Sequence, residues 1–458
     1  MRQTPYIVLF VFSLLSIAIA PFFLPYGGIT ADTISYVQLA DSFPEVKWSL
    51  FPLGYPLLIK FFNFFTDDYF WAARILNIVL FAIIGLFSYL KQFYFRETVI
   101  LLSTKIFFFC FFNSLSEAPF IFLFYFLLYF VHGYFYSERK SYRFYIPAAL
   151  IMSLMFSVRY SGLYIYIGFG LFYLLHYIRK ENIQFWNSGF FRFLFLSGVG
   201  IGAYALFNFI NFGDFAGEKF RHNPYLKGIG EEFFRNVLGV FNSFNPFLGI
   251  KLNSSSLLAY SVEGILLLIN IVFIYFMVRI WKNHFRSYSK DFHVLLLSTG
   301  LVYSVFVFFT VFFQGIEELN MRILAESSFL YFYSVIFICY QEKKYEKIIF
   351  RLAVFSLLFN TFYPLKNSSN FLERKAFTEK KLTAMEGKKY YFIKDFKKVK
   401  PKVYKIPVVN KEFSYGHENL QNSFIDGNII MMKNPDILWI LKDTVLQKEQ
   451  VIYSTDLE

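Results

Sequence analysis

Apolar runs separated by short polar stretches recur from residue 5 to residue 363, and the pattern changes only after that. A helix needs about 20 mostly apolar residues to cross a hydrocarbon core roughly 30 Å thick. The runs therefore predict membrane-spanning helices near 5–25, 71–90, 98–116, 118–137, 143–158, 161–178, 190–212, 256–280, 291–313, 322–340 and 345–363. Ala18-Ile19-Ala20 resembles a signal-peptide cleavage site. The first run is long for such a segment and many more follow, so it reads as a retained helix. From Leu365 onward the apolar runs shorten. KKYYFIKDF and KVYKIPVV predict strands, and NPDILWILKDTV predicts a helix beginning near Asn434. The expected architecture is an all-α polytopic membrane protein of about 11 transmembrane helices over residues 1–363, followed by a small C-terminal α/β domain over 364–458.

Composition agrees with this pattern. Of 458 residues, 56% are hydrophobic and 17% charged, against about 25% charged in soluble globular domains. The distribution of the charge carries more information than the net +13. Lys91 and Arg96, Arg139, Lys140 and Arg143, Arg179 and Lys180, Arg279 to Lys290, and Lys343 to Lys347 occupy alternate connections, and the intervening short loops carry almost none. Because Lys and Arg accumulate in short cytoplasmic loops, the N-terminus is expected inside and the C-terminus outside. This places segments 26–70 and 213–255 and the tail on the outer face of the membrane, among membrane lipids, with no nucleic-acid partner expected. The basic run Lys388 to Lys411 is open to two readings, a contact with phosphorylated lipid or glycan or a solvated face.

Two cysteines and a few histidines add little. Cys110 and Cys339 fall in predicted helices near opposite faces, so no disulfide is expected. His132 lies within the fourth span toward its inner end and reads as a helix contact. Gly198, Gly200 and Gly202 would allow close approach of neighbouring helices.

The candidate chemistry lies on the outer face. The first loop, Gly27 to Pro56, predicts a helix capped by Thr30, with Asp32 in its first turn. At about 100° per residue, Tyr36, Leu39 and Phe43 share the face of Asp32, and Asp41 points away. An N-terminal helix charge favoured by the macrodipole is the alternative reading of Asp32. Three further outer turns hold charge: Glu117 in NSLSEAPF, Arg159 in SVRYSG, and Glu317, Glu318 and Arg322 in QGIEELNMRILAE. Singly, each could be a snorkelling or capping charge. Together they offer a base for an attacking hydroxyl and fixed guanidiniums for a phosphate.

In order and sidedness these residues resemble the polytopic GT-C glycosyltransferases, in particular the bacterial protein mannosyltransferase and aminoarabinose-transferase relatives. The resemblance runs over roughly residues 5–340. It rests on Asp32, Tyr36 and Ala40; on Pro52, Gly54, Tyr55 and Pro56; on Ser116, Glu117 and Pro119; on Arg159, Tyr160 and Gly162; and on Arg322 and Leu324. It implies inverting transfer of a sugar from a polyprenyl-phosphate donor to a lipid, glycan or protein acceptor. Asp32 would be the base and Glu117 would orient the acceptor or the first loop. Arg159 and Arg322 would hold the donor phosphate, with Lys219 and Arg221 as further candidates, and Tyr36, Tyr55 and Tyr160 would support the loop. Some relatives carry two adjacent acidic residues where Asp32 has only Ala31 and Thr33 beside it, so neither a metal nor another cofactor is predicted. The competing expectations are a transporter or flippase for lipid-linked saccharides and a non-catalytic assembly scaffold.

Overall fold

The computed structural model describes residues 3–24, 27–46, 49–136, 142–178, 188–218, 229–247, 257–284, 290–314, 318–365 and 372, and the backbone of five short strands between 390 and 454. The described helices are α1 (Thr4–Ile19), α2 (Ala31–Asp41), α3 (Gly54–Thr66), α4 (Tyr69–Leu90), α5 (Phe95–Leu102), α6 (Lys105–Phe112), α7 (Glu117–Tyr136) and α8 (Tyr142–Val158). They continue with α9 (Gly162–Ile178), α10 (Gly189–Phe212), α11 (Ile229–Asn242), α12 (Leu257–His284), α13 (Lys290–Phe313), α14 (Ala325–Gln341) and α15 (Glu346–Leu365). Seven of these segments are long and apolar enough to cross a membrane, and α8 and α9 are shorter apolar helices. This is the architecture of an α-helical polytopic membrane protein.

Local chemistry sets the helix ends. The Asp68 carboxylate accepts from the Phe70 N–H to start α4, and Ser188 does the same for α10 through Phe191. Gly213, with φ of 69°, takes the left-handed turn that ends α10. The third predicted span is not one helix. Ser103 and Thr104 hydroxyls donate back to the carbonyls of Val99 and Leu101, a local alternative to the helical ladder that splits the span into α5 and α6. Beyond the break, the Ile106 N–H donates to Pro246 O at 3.3 Å, outside its own helix.

Helix α14 is the centre of the bundle. Every residue from Ala325 to Tyr340 is buried, as expected of a helix enclosed on all sides. Around it the core is built largely from Phe and Tyr rings, with Phe244 stacked on Tyr331 at 4.3 Å and Phe107 edge-on to Phe329 at 5.6 Å. A Cβ on Gly200 would lie 2.1 Å from Ser153 Oγ and one on Gly198 2.7 Å from Tyr166 Oη, so both let α10 approach its neighbours, whereas Gly202 faces open space.

Two further features depart from expectation. The Pro- and Gly-punctuated stretch after the first loop turns only briefly before α3 begins at Gly54, with Pro56 in its first turn, where the missing N–H costs nothing. Helix α3 buries Tyr55, Ile59 and Asn63 and exposes Leu57, Phe61, Phe64 and Phe65, so one face packs on the bundle and the other is an apolar surface. In the tail, the strand expectations at 390–393 and 402–405 correspond to β1 (Tyr390–Ile393) and β2 (Lys402–Lys405). The helix expected from near Asn434 is corrected: Leu438–Leu441 is strand β4, paired antiparallel with β1 and with β5 (Val451–Ser454). With β3 (Phe424–Ile425), the sheet order is β2-β5-β4-β1-β3.

Candidate functional site

The site forms where α2 and the turns before α7 and α9 meet the first turn of α14. Thr30 and Thr33 cap α2 reciprocally: Thr33 N–H donates to Thr30 Oγ1 at 3.3 Å, and Thr30 N–H donates to Thr33 Oγ1 at 3.0 Å. The Thr33 hydroxyl also donates to Ser114 O at 2.8 Å, tying α2 to the turn before α7. One turn further, Tyr36 Oη lies 2.9 Å from Ser116 Oγ. These contacts fix Asp32 beside Glu117 although the two are far apart in sequence.

Five charges then alternate in sign. Arg322 Nη1 donates to Asp32 Oδ2 at 2.6 Å. Arg322 Nε lies 3.6 Å from Glu117 Oε1, and Arg159 Nη1 lies 3.4 Å from the same oxygen. Arg159 Nη1 also donates to Glu326 Oε1 at 2.7 Å. Tyr303 completes the series by donating to Glu326 Oε2 at 3.0 Å. Three carboxylates and two guanidiniums leave the set with a formal charge of −1.

Burial grades along this series. The Glu326 side chain is 0% exposed and Glu117 3%, whereas Asp32 is 31% exposed. Burial alone would lower the pKa of Arg159, but Glu117 and Glu326 hold it above the ordinary value, so the guanidinium stays charged. Burial pushes the Tyr36 phenol up, and Asp32 and Glu117 push it the same way, so it is a neutral hydroxyl. Glu117 Oε2 is buried and finds no hydrogen-bond partner among the described residues.

The residues predicted from sequence divide accordingly. Asp32, Glu117, Arg159 and Arg322 come together. Tyr36 packs against Tyr55, with ring centroids 4.9 Å apart, and both support the loop beside them. Tyr160 stands aside, its hydroxyl accepting from Asn208 Nδ2 at 3.1 Å. Lys219, Arg221 and Glu317 lie outside the described residues, as do the side chains of the basic tail run. Glu318 is not part of the series: it pairs with Arg235 of α11 at 3.4 Å. The second buried carboxylate is Glu326, the last residue of the same QGIEELNMRILAE stretch. Glu117 is a charge in a short turn between two apolar runs, whereas Glu326 falls inside the run predicted at 322–340, where the cost of a charge within an apolar helix is the signal that could have found it. Tyr303 carries no such signal.

The connection between α13 and α14 joins this site to α11. Glu318 pairs with Arg235, and Asn236 Oδ1 accepts from the Leu319 N–H at 2.8 Å. Asn320 Oδ1 then accepts from the N–H groups of Arg322 and Ile323, shaping the turn that presents Arg322. Asp41, on the far side of α2, accepts from the Tyr69 hydroxyl at 3.0 Å and serves the loop's own packing. Among the described residues, no group of three His, Cys, Asp or Glu side chains is arranged to hold a metal ion. No family model, no curated protein and no solved structure matches the chain.

Proposed function

We propose that the protein is a glycosyltransferase of the GT-C type that moves a sugar from a polyprenyl-phosphate donor to a lipid, glycan or protein acceptor at the outer face of a bacterial inner membrane. The observation that carries this reading is the series Asp32–Arg322–Glu117–Arg159–Glu326 at one end of an apolar helix bundle, with Asp32 at its most open position. A prenyl chain can lie against apolar helices while its phosphate meets a guanidinium at their ends.

The acceptor hydroxyl oxygen attacks the anomeric carbon as its proton passes to Asp32. The bond from that carbon to the phosphate oxygen breaks, and its electron pair leaves with the polyprenyl phosphate. A guanidinium on the phosphate stabilises the charge that develops there. Phosphate is a good leaving group, so no general acid is required. Glu117 orients the guanidiniums rather than taking a proton, because its one engaged oxygen faces both arginines.

The test is transfer of radiolabelled sugar from a polyprenyl-phosphate sugar by the purified protein. Asp32→Asn is expected to lower turnover by about 10²–10⁴-fold while the protein still inserts and binds donor; full turnover in that variant would remove Asp32 from its role. A second reading, a transporter for lipid-linked saccharides, is favoured by the break between α5 and α6, where Lys105 opens the second half-helix. In the same assay a transporter would leave the donor bond intact.

A further inference from the structure

Glu117 turns one carboxylate oxygen, Oε1, to both arginines, while its other oxygen, Oε2, is buried with no hydrogen-bond partner among the described residues. Four more buried polar atoms near it are in the same condition: Ser114 Oγ in the turn before α7, Tyr55 Oη at the start of α3, and Arg74 Nε and Asn77 Oδ1 on one side of α4. The fold brings these residues to one turn. The Ser114 N–H donates to Gly28 O at 3.0 Å, and a Cβ on Gly28 would lie 3.2 Å from the Arg74 guanidinium. Arg74 donates to Phe112 O, and Asn77 Nδ2 donates to Asn113 O at 2.6 Å. The Tyr55 ring packs on Tyr36, whose hydroxyl lies 2.9 Å from Ser116 Oγ. Burial pushes the Tyr55 phenol up, Tyr36 and Glu117 push it the same way, and Arg74 opposes them. Tyr55 is therefore a neutral hydroxyl that feels both a carboxylate and a guanidinium.

Buried donors and acceptors are costly to leave unpaired, and an enclosed water needs two to four polar partners. We propose that two ordered waters join the Tyr55 hydroxyl to Glu117 on one side and to Arg74 on the other, and that Tyr55 acts through them as a positioning residue for the two arginines of the site. The hydrogen bonds run in one direction, because Arg74 Nε can only donate and a Glu117 carboxylate oxygen can only accept. Arg74 Nε donates to the first water, which donates to Asn77 Oδ1 and Tyr55 Oη. Tyr55 donates to the second water, which also accepts from the Ser114 hydroxyl and donates to Glu117 Oε2. Through this chain the positive charge of Arg74 offsets the formal −1 of the five charges above it. Held at both oxygens, the Glu117 carboxylate resists rotation, and Oε1 keeps Arg159 and Arg322 in register for a phosphate. The inference rests on the glycosyl-transfer reading only for the ligand that brings that phosphate.

The experiment is cryo-electron microscopy of the full-length protein in lipid nanodiscs at a resolution that shows ordered water, together with binding of undecaprenyl phosphate. Density within about 3.2 Å of both Tyr55 Oη and Glu117 Oε2 is expected, and its absence from a map that shows other buried waters would overturn the proposal. Tyr55→Phe keeps the ring and removes only the hydroxyl. It is expected to weaken binding of undecaprenyl phosphate by about two- to tenfold, and unchanged affinity would overturn the positioning role. Where Glu117→Gln folds, adding Tyr55→Phe to it is expected to weaken binding no further, because the oxygen on which Tyr55 acts has lost its charge. Losses that add in the double variant would show a general structural effect and overturn the role. Failure of undecaprenyl phosphate to bind the unaltered protein would remove the glycosyl-transfer reading, while the density would still decide the waters.

Discussion

Glu326 and Asp32 occupy the two ends of one series of charges, and their burial gives opposite expectations for the same kind of substitution. Glu326 is enclosed with Arg159 and Tyr303. Glu326→Gln leaves a buried guanidinium short of a counter-charge and is expected to cost about 3 kcal/mol of stability. Asp32 is an outer partner, and Asp32→Asn is expected to cost about 1 kcal/mol or less. Thermal unfolding of the purified variants in detergent checks the contrast; a larger loss for Asp32→Asn would invert the assignment of structural and chemical roles. Sequence reasoning could find Asp32, Glu117, Arg159 and Arg322, because a charge beside an apolar run stands out. It could not pair them, because the separation between Asp32 and Arg322 is spanned only by the fold. Glu326 was legible as a charge inside the run predicted at 322–340, while Tyr303 looks like any ring in an apolar span.

At the scale of elements, the apolar runs located nearly every long helix, but hydropathy does not report where a run breaks or which of its faces is covered. The division between α5 and α6 depends on two hydroxyls turning back on their own helix. The one-sided burial of α3 depends on which of its aromatic residues the bundle happens to cover. Arg74 is another case: it lies inside α4 and is buried, and its guanidinium donates to Phe112 O and to Ile17 O at 2.6 Å. It thereby holds the C-terminal ends of α6 and α1 together, with Asn77 one turn below donating to Asn113 O at 2.6 Å. Arg74→Met fills much of the space but leaves two buried carbonyls unpaired, and a loss of about 2–3 kcal/mol is expected. Chemical denaturation followed by tryptophan fluorescence would measure it; an unchanged midpoint would show that the two helix ends do not depend on this residue.

For the whole molecule, the alternation of basic loops has a structural counterpart. The ion pair Arg96–Glu346 at 3.3 Å and the Tyr94–His132 contact at 2.9 Å lie at the opposite ends of their helices from the Asp32 series. Native Cys110 and Cys339 are buried, so surface cysteines can be introduced against a quiet background. In spheroplasts, a membrane-impermeant maleimide is expected to label Glu45→Cys directly and Lys91→Cys only after lysis. Both positions are exposed. The reverse result would turn the topology over and place the site inside the cell. The nine residues from Glu318 to Glu326 grip α11 at one end and the paired charges at the other. Helix α11 turns Phe233 and Phe234 outward. Any displacement of α11 would therefore pull on a connection of nine residues that ends at Arg322 and Glu326.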